Sequence, residues 1–253
     1  MATPIKIWLK NILQTVAFWG AYFMFAALGS LVSVACAFPA VLFRGKKARL
    51  FGQKLIHRLF AFFVSYLRAF GLIELDAGAL SGLHGCGGVI VAANHPCLLD
   101  AVLLVSQLPK AVCLMKGSLA RNIVLSGTAR LAGYIHNKSG LGLVKQCEER
   151  LKEGASLLVF PEGTRTLGGK LLPFKMGFAL VAVSTQSPVQ TILITADSNY
   201  LGKGWPFFRK PVFPVRYSLR LGRRFRPEPG EAAKNFGWTV EKYFRETLSK
   251  NDA

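Results

Sequence analysis

Acidic residues are scarce in this chain of 253 residues: 13 Asp and Glu stand against 32 Lys and Arg, a net charge of +19, and none precedes Glu74. Charged residues of either sign make up only 18% and hydrophobic residues 51%, which excludes a disordered or purely solvating polypeptide. Cysteine is sparse as well. The five cysteines (Cys36, Cys86, Cys97, Cys113 and Cys147) are odd in number and show no CxxC or Cys/His spacing, so a disulfide scaffold and a zinc site are excluded and a reducing cytoplasm is the expected setting. Also missing are a Gly-x-Ser-x-Gly elbow, a Walker A loop, a His-Glu-x-x-His helix and a complete dinucleotide fingerprint. The nearest approach, Gly168-Gly169-Lys170, lacks the Ser or Thr that should follow. There is no internal repeat and no low-complexity linker.

What is present is a long apolar run. Between Lys10 and Arg44 lie 33 uncharged residues, whereas about 20 suffice to cross a bilayer. Gly20, Gly29 and Pro39 interrupt the run, so a single span and a kinked, re-entrant hairpin both fit. A secretory signal fits less well, because its apolar core spans roughly 7 to 15 residues. The flank that follows (Arg44, Lys46, Lys47, Arg49) is more basic than the one before (Lys6, Lys10), which places the rest of the chain on the cytoplasmic side of the inner membrane.

Residues 50–72 place Leu55, Leu59, Phe62 and Tyr66 at helical spacing among Lys54, Arg58 and Arg68, a basic amphipathic helix. Such a helix gains about 1 kcal/mol per basic side chain close to anionic lipid. The basic charge flanks apolar sequence and no reading helix or aromatic-basic platform accompanies it, so the expected partner is anionic membrane lipid and not nucleic acid. The chain therefore divides into residues 1–72, a membrane-anchoring helical segment with a basic amphipathic helix, and residues 73–253, a folded domain.

Within that domain, Val89–Ala93, Ala111–Met115, Leu157–Phe160 and Val189–Thr195 read as strands buried on both faces. Leu98–Leu108, Leu119–Leu131, Leu141–Lys152 and Met176–Thr185 read as helices between them. Val215–Leu221 alternates as a strand with one wet face, and an amphipathic helix carrying Phe236, Val240 and Phe244 closes the chain. The alternation predicts an α/β fold with a largely parallel sheet flanked by helices.

Two polar clusters follow apolar strands. In Asn94-His95-Pro96-Cys97-Leu98-Leu99-Asp100, Pro96 suits the first position of a helix, which puts Asp100 one turn on and facing back toward His95. An imidazole oriented by a carboxylate is a general base, worth about 10²- to 10⁴-fold in rate. The second cluster, Phe160-Pro161-Glu162-Gly163-Thr164-Arg165, supplies a turn, backbone N–H groups, a hydroxyl and a guanidinium, the parts that hold an anionic head group. Cys97, beside His95, admits a rival reading as a thiolate nucleophile.

These clusters together resemble the lysophospholipid acyltransferases, of which the 1-acylglycerol-3-phosphate acyltransferases are the best known. The resemblance covers roughly residues 85–200: a His-x4-Asp motif at His95 and Asp100, the second signature about 65 residues downstream, and Phe174-Lys175-Met176-Gly177 in place of the family's Phe-Lys-x-Gly. It implies acyl transfer from acyl-CoA or acyl-acyl carrier protein, as co-substrate, to the hydroxyl of a lysolipid acceptor, with no metal and no covalent intermediate. His95 is then the base, Asp100 its orienting partner, and Glu162, Gly163, Thr164 and Arg165, with Lys175 and Lys138, the acceptor-binding residues; acyl carrier protein becomes a candidate partner.

The chain departs from the family pattern where Gly133-Tyr134-Ile135-His136-Asn137-Lys138 replaces Gly-x-Ile-x-x-Arg. Lys lacks the bidentate fork of Arg, so a non-phosphate lipid or pigment hydroxyl stays open as an acceptor, as does an inactive basic membrane scaffold. Gly202-Lys203-Gly204-Trp205-Pro206-Phe207-Phe208 resembles branches associated with aryl-polyene and xanthomonadin gene clusters.

Overall fold

The structure is a computed structural model that describes residues 4–43, 45–83, 85, 87–115, 122–136, 141–166 and 170–249. Its first element, α1 (Pro4–Leu42), is one uninterrupted helix of 39 residues, about 58 Å long at 1.5 Å per residue. The re-entrant hairpin is not formed. Its interrupting residues serve packing instead: a Cβ on Gly20 would stand 2.8 Å from the Tyr66 hydroxyl and one on Gly29 2.5 Å from the Val124 side chain. Pro39 falls in the last turn, where little helix is left to break.

Helix α2 (Lys46–Ala69) is amphipathic, burying Ile56, Phe63, Val64 and Leu67, and its His57 Nδ1 lies 2.9 Å from the Val105 carbonyl. The sheet has seven strands: β1 (Ile73–Asp76), β2 (Ile90–Ala93), β3 (Ala111–Met115), β4 (Ile135–His136), β5 (Ser156–Val159), β6 (Val189–Ala196) and β7 (Val215–Phe225). Their order is β1-β7-β6-β2-β5-β3-β4, and every neighbouring pair is parallel except β6 with β7.

The continuous apolar runs of β2 and β5 are buried on both faces because helices cover the sheet on either side. Val91 and Ala93 face a core shared with α1, α2 and α3 (Asp100–Val105). Ile90 and Ala92 face the opposite core, built with α5 (Leu141–Lys152), α6 (Gly177–Thr185) and α7 (Ala233–Ser249). Ala17 and Phe18 of α1 join the same core as Leu103, so the apolar segment is packed onto the sheet domain and does not project from it.

The short α4 (Ser126–Leu131) seats against α1 at a very close approach. A Cβ on Gly127 would fall 1.8 Å from the Ser33 carbonyl oxygen, and the Gly127 amide donates to Ser33 Oγ at 2.8 Å. On its other flank, α2 is tied to α5 by Arg49, which pairs with Glu153, a carboxylate that also accepts from Arg150 at 2.9 Å.

This topology positions the site. Strand β2 leads into α3 on one face of the sheet, and its neighbour β5 leads into α6 on the other. Adjacent parallel strands whose connections leave on opposite faces open a crevice at their C-terminal ends. Both polar clusters emerge there.

Candidate active site

Residues 94–99 form an irregular turn, and α3 begins only at Asp100, so Pro96 does not open the helix as its type suggested. The Asp100 carboxylate dictates the turn: Oδ2 accepts the Cys97 amide at 2.7 Å, a bond that bends the chain back over the aspartate. The bend delivers His95 to the same oxygen, with Nδ1 to Oδ2 at 2.8 Å. The expected pair is therefore formed. Because the carboxylate accepts, Nδ1 carries the hydrogen and Nε2 keeps the lone pair.

Burial of the two partners is unequal. The Asp100 side chain is 0% exposed and that of His95 18% exposed. Burial pushes the Asp100 carboxyl above its ordinary range, against the opposing pull of the His95 contact. The imidazole stacks on Phe160 at 4.2 Å between ring centroids, which fixes its plane. Asn94 anchors the turn to β6, donating to the Ile194 carbonyl and accepting its amide, each at 2.8 Å.

Cys97 is buried and donates from Sγ to Asp100 Oδ1 at 3.0 Å, with the Tyr217 hydroxyl 3.8 Å from the sulfur. Burial, then the adjacent aspartate charge, push its thiol well above the usual value. A nucleophilic cysteine needs the opposite environment. The thiolate reading is thus disfavoured by the structure.

The second cluster follows β5 and closes onto the first. Glu162 is buried, and its carboxylate accepts from the His95 amide (3.0 Å), Thr166 Oγ1 (2.9 Å) and the Leu172 amide (3.0 Å). In return, the His95 carbonyl accepts the Thr166 amide at 2.7 Å. Glu162 is expected to bind an acceptor head group; in the structure its carboxylate accepts from both loops and fastens them together.

Gly163 takes φ +67°, and a Cβ there would meet Lys175 Cε at 2.9 Å and Nζ at 3.1 Å. Only glycine lets the exposed Lys175 lie across this turn. Thr164 is half-buried beside it. Arg165 directs Nη1 to the Leu201 and Gly202 carbonyls, both at 2.8 Å. Lys138 lies outside the described residues. The structure thus gathers His95, Asp100, Glu162, Gly163, Thr164, Arg165 and Lys175 at one sheet end. Thr166, Phe160, Asn94 and Tyr217 had no role assigned from sequence, although Thr166 adjoins the second signature and Asn94 and Phe160 open the two clusters.

Residues 81–195 match the family model described as Acyltransferase. This stretch is similar to the acyltransferases over a little under half of the chain. Over 120 residues, 45% of this chain, it is 33% identical to the 1-acyl-sn-glycerol-3-phosphate acyltransferase of Helicobacter pylori, 51% of whose length is covered. Over 206 residues, 77% of this chain, it is 26% identical to the mouse 1-acyl-sn-glycerol-3-phosphate acyltransferase alpha, 66% of whose length is covered. Against the H. pylori relative, then, the match spans about half the length. The fold is similar to that of the 1-acyl-sn-glycerophosphate acyltransferase PlsC of Thermotoga maritima, with a TM-score of 0.67 over 96% of both chains at 22% identity. The matched stretch contains the whole His95–Asp100 and Glu162 arrangement, and its last residue ends β6 but for Ala196.

Proposed function

We propose that this protein transfers a fatty acyl group from a coenzyme A or acyl carrier protein thioester to the hydroxyl of a membrane lysolipid such as 1-acylglycerol 3-phosphate. The observation that carries the proposal is the Nδ1–Oδ2 bond of 2.8 Å between His95 and the fully buried Asp100, which leaves Nε2 as a base at the crevice. Nε2 removes the proton of the acceptor hydroxyl as its oxygen attacks the thioester carbonyl. A C–O bond forms, the C–S bond breaks, and the departing thiolate takes the proton back from the imidazolium. Asp100 stays ionised and stabilises that imidazolium.

Two cations supply the acceptor end. Lys175 crosses Gly163, and Arg165 uses one nitrogen on carbonyls, leaving Nε and Nη2, among the described residues, for an anion. An apolar cleft between α1, α2 and α4, lined by Met24, Phe25, Leu28, Phe60, Phe63 and Val124, provides hydrocarbon surroundings for an acyl chain. The H. pylori and mouse relatives, named for their action on 1-acylglycerol 3-phosphate, support that acceptor. The replacement of the family's acceptor arginine by Lys138 favours the second reading, a non-phosphate hydroxyl.

The location we infer is the cytoplasmic face of the inner membrane. Helix α1 is the one candidate span among the described residues, yet it contacts the rest of the protein from Gln14, bonded to the Gly71 carbonyl, to Ala40. Between those contacts α1 keeps Trp19, Phe23, Leu31, Val34 and Phe38 exposed, an apolar surface for hydrocarbon. The exposed apolar side of α1 is the part of the protein that meets the membrane in this reading.

The test measures transfer of a labelled acyl group from each thioester to a panel of lysolipids, in membranes carrying the wild type or His95→Ala. Product from the wild type alone, with a loss of about 10²-fold or more in the variant, supports the proposal. Equal transfer by the two proteins overturns it. Transfer confined to acceptors without phosphate selects the second reading.

A further inference from the structure

We infer that the segment 200–213, between β6 and β7, is a second membrane-seating element whose aromatic tip enters an anionic bilayer and whose root is held by the active-site loops. The inference rests on the membrane-enzyme reading above. Three apolar residues of this segment stand out in solvent: Phe207 is 51% exposed, Phe208 68% and Val212 89%. Isolated exposed apolar residues need no explanation, but a contiguous patch does. These are contiguous with α1: Phe207 meets Tyr22 edge-on at 4.9 Å and Phe208 stacks on Trp19 at 6.0 Å. Trp19 belongs in turn to an exposed stripe of α1 with Ile12, Val16 and Phe23.

Charge names the occupant. Lys203, Arg209 and Lys210 flank the tip, and no acidic residue occurs from Ser198 to Val215. Aromatic residues ringed by Lys and Arg suit the headgroup level of an anionic leaflet. The tip is also tied down: Tyr22 donates to the Phe207 carbonyl at 2.8 Å and Trp205 Nε1 to the Arg209 carbonyl at 3.0 Å. At the root, Leu201 sits at φ +57°, and its carbonyl accepts both Arg165 Nη1 (2.8 Å) and the Leu98 amide (3.2 Å). Leu98 lies between His95 and Asp100. Insertion of the tip therefore acts on the same residues that frame the base and the acceptor site, and sets the mouth of the crevice against the leaflet that holds the lysolipid.

The experiment attaches a bimane fluorophore to Phe207→Cys and, separately, to Val16→Cys on α1, in full-length protein bound to phosphatidylcholine–phosphatidylglycerol vesicles. Quenching of both labels by a lipid with an acyl-chain nitroxide, with protection from aqueous iodide, is the expected result. Quenching at position 16 but iodide access at position 207 overturns the inference while sparing the membrane reading. No lipid quenching at either position overturns both. Protection of position 207 only after addition of acyl carrier protein also overturns it, and assigns the tip to that protein. In a second measurement, serine at both Phe207 and Phe208 lowers the ratio of activity on vesicle-embedded to micellar lysolipid by about tenfold; an unchanged ratio counts against the inference.

Discussion

Cys97→Ala tests whether the thiol serves the dyad or the acyl group. Asp100 has two carboxylate oxygens in a fully buried site. Oδ2 receives the His95 imidazole and the Cys97 amide, at 2.8 and 2.7 Å; the donor given to Oδ1 is the Cys97 thiol, at 3.0 Å. Alanine keeps the amide and removes that thiol. A lost hydrogen bond to a buried charged acceptor costs about 1.5–3 kcal/mol, and a sulfur donor, being weak, belongs at or below the lower end. We expect kcat to fall by up to about tenfold with KM unchanged. The sign of the pH effect follows from the carboxylate: burial already raises the Asp100 carboxyl, and loss of a donor raises it further. A more basic carboxylate holds the imidazolium more tightly, so the acid limb of kcat/KM moves to higher pH. Cys97→Ser restores the donor and should recover both rate and pH profile. Steady-state acyl transfer across pH with the three proteins reads all of this. Indistinguishable alanine and wild-type profiles refute the positioning argument. Loss of turnover in both variants refutes it in the other direction, in favour of the thiolate.

Two further predictions concern the joints of the fold. Glu162→Ala leaves the His95 and Leu172 amides without their buried acceptor; at about 1–3 kcal/mol for each unsatisfied group, thermal unfolding moves down by several degrees and kcat falls, whereas a residue that merely bound substrate would raise KM at unchanged stability. Glu153 is partly buried, which raises its pKa, but its bonds to Arg49 and Arg150 outweigh this and hold the carboxyl below its ordinary range. A depressed carboxyl contributes stability above its unfolded-state pKa and loses it as pH falls through the folded value. Melting temperature should therefore drop more steeply below about pH 4.5 in the wild type than in Glu153→Gln; parallel curves would show that the Arg49–Glu153 link between α2 and α5 contributes nothing.

The sheet was legible in the sequence because burial on both faces writes itself as continuous apolar runs. Val89–Ala93 and Leu157–Phe160 became β2 and β5 to within a residue or so. Two strands escaped that signal. β4 has two residues, and β1, Ile-Glu-Leu-Asp, lies at the edge of the sheet, where alternation over four positions is too brief to register. The choice between a single helix and a hairpin, left open at Gly20, Gly29 and Pro39, was illegible for a related reason: the same residue types that permit a turn also permit close helix packing. Which of the two a glycine serves depends on Tyr66 and Val124, residues distant in sequence.

The site was legible by residue type and less so by role. His95 with Asp100 has one economical use in either language. Glu162 did not, since an acidic residue in a turn beside an arginine reads equally as a ligand contact or a structural acceptor, and what decides it is whether backbone amides converge on it. They do, from His95 and Leu172. That outcome changes the charge an acceptor meets. With the Glu162 carboxylate turned onto its donors and Asp100 buried behind the imidazole, the groups facing the crevice include Arg165, Lys175 and Nε2 of His95. A cationic mouth around the base draws an anionic lipid toward the crevice. Among the acceptors left open by Lys138, this field favours one that carries negative charge near its hydroxyl.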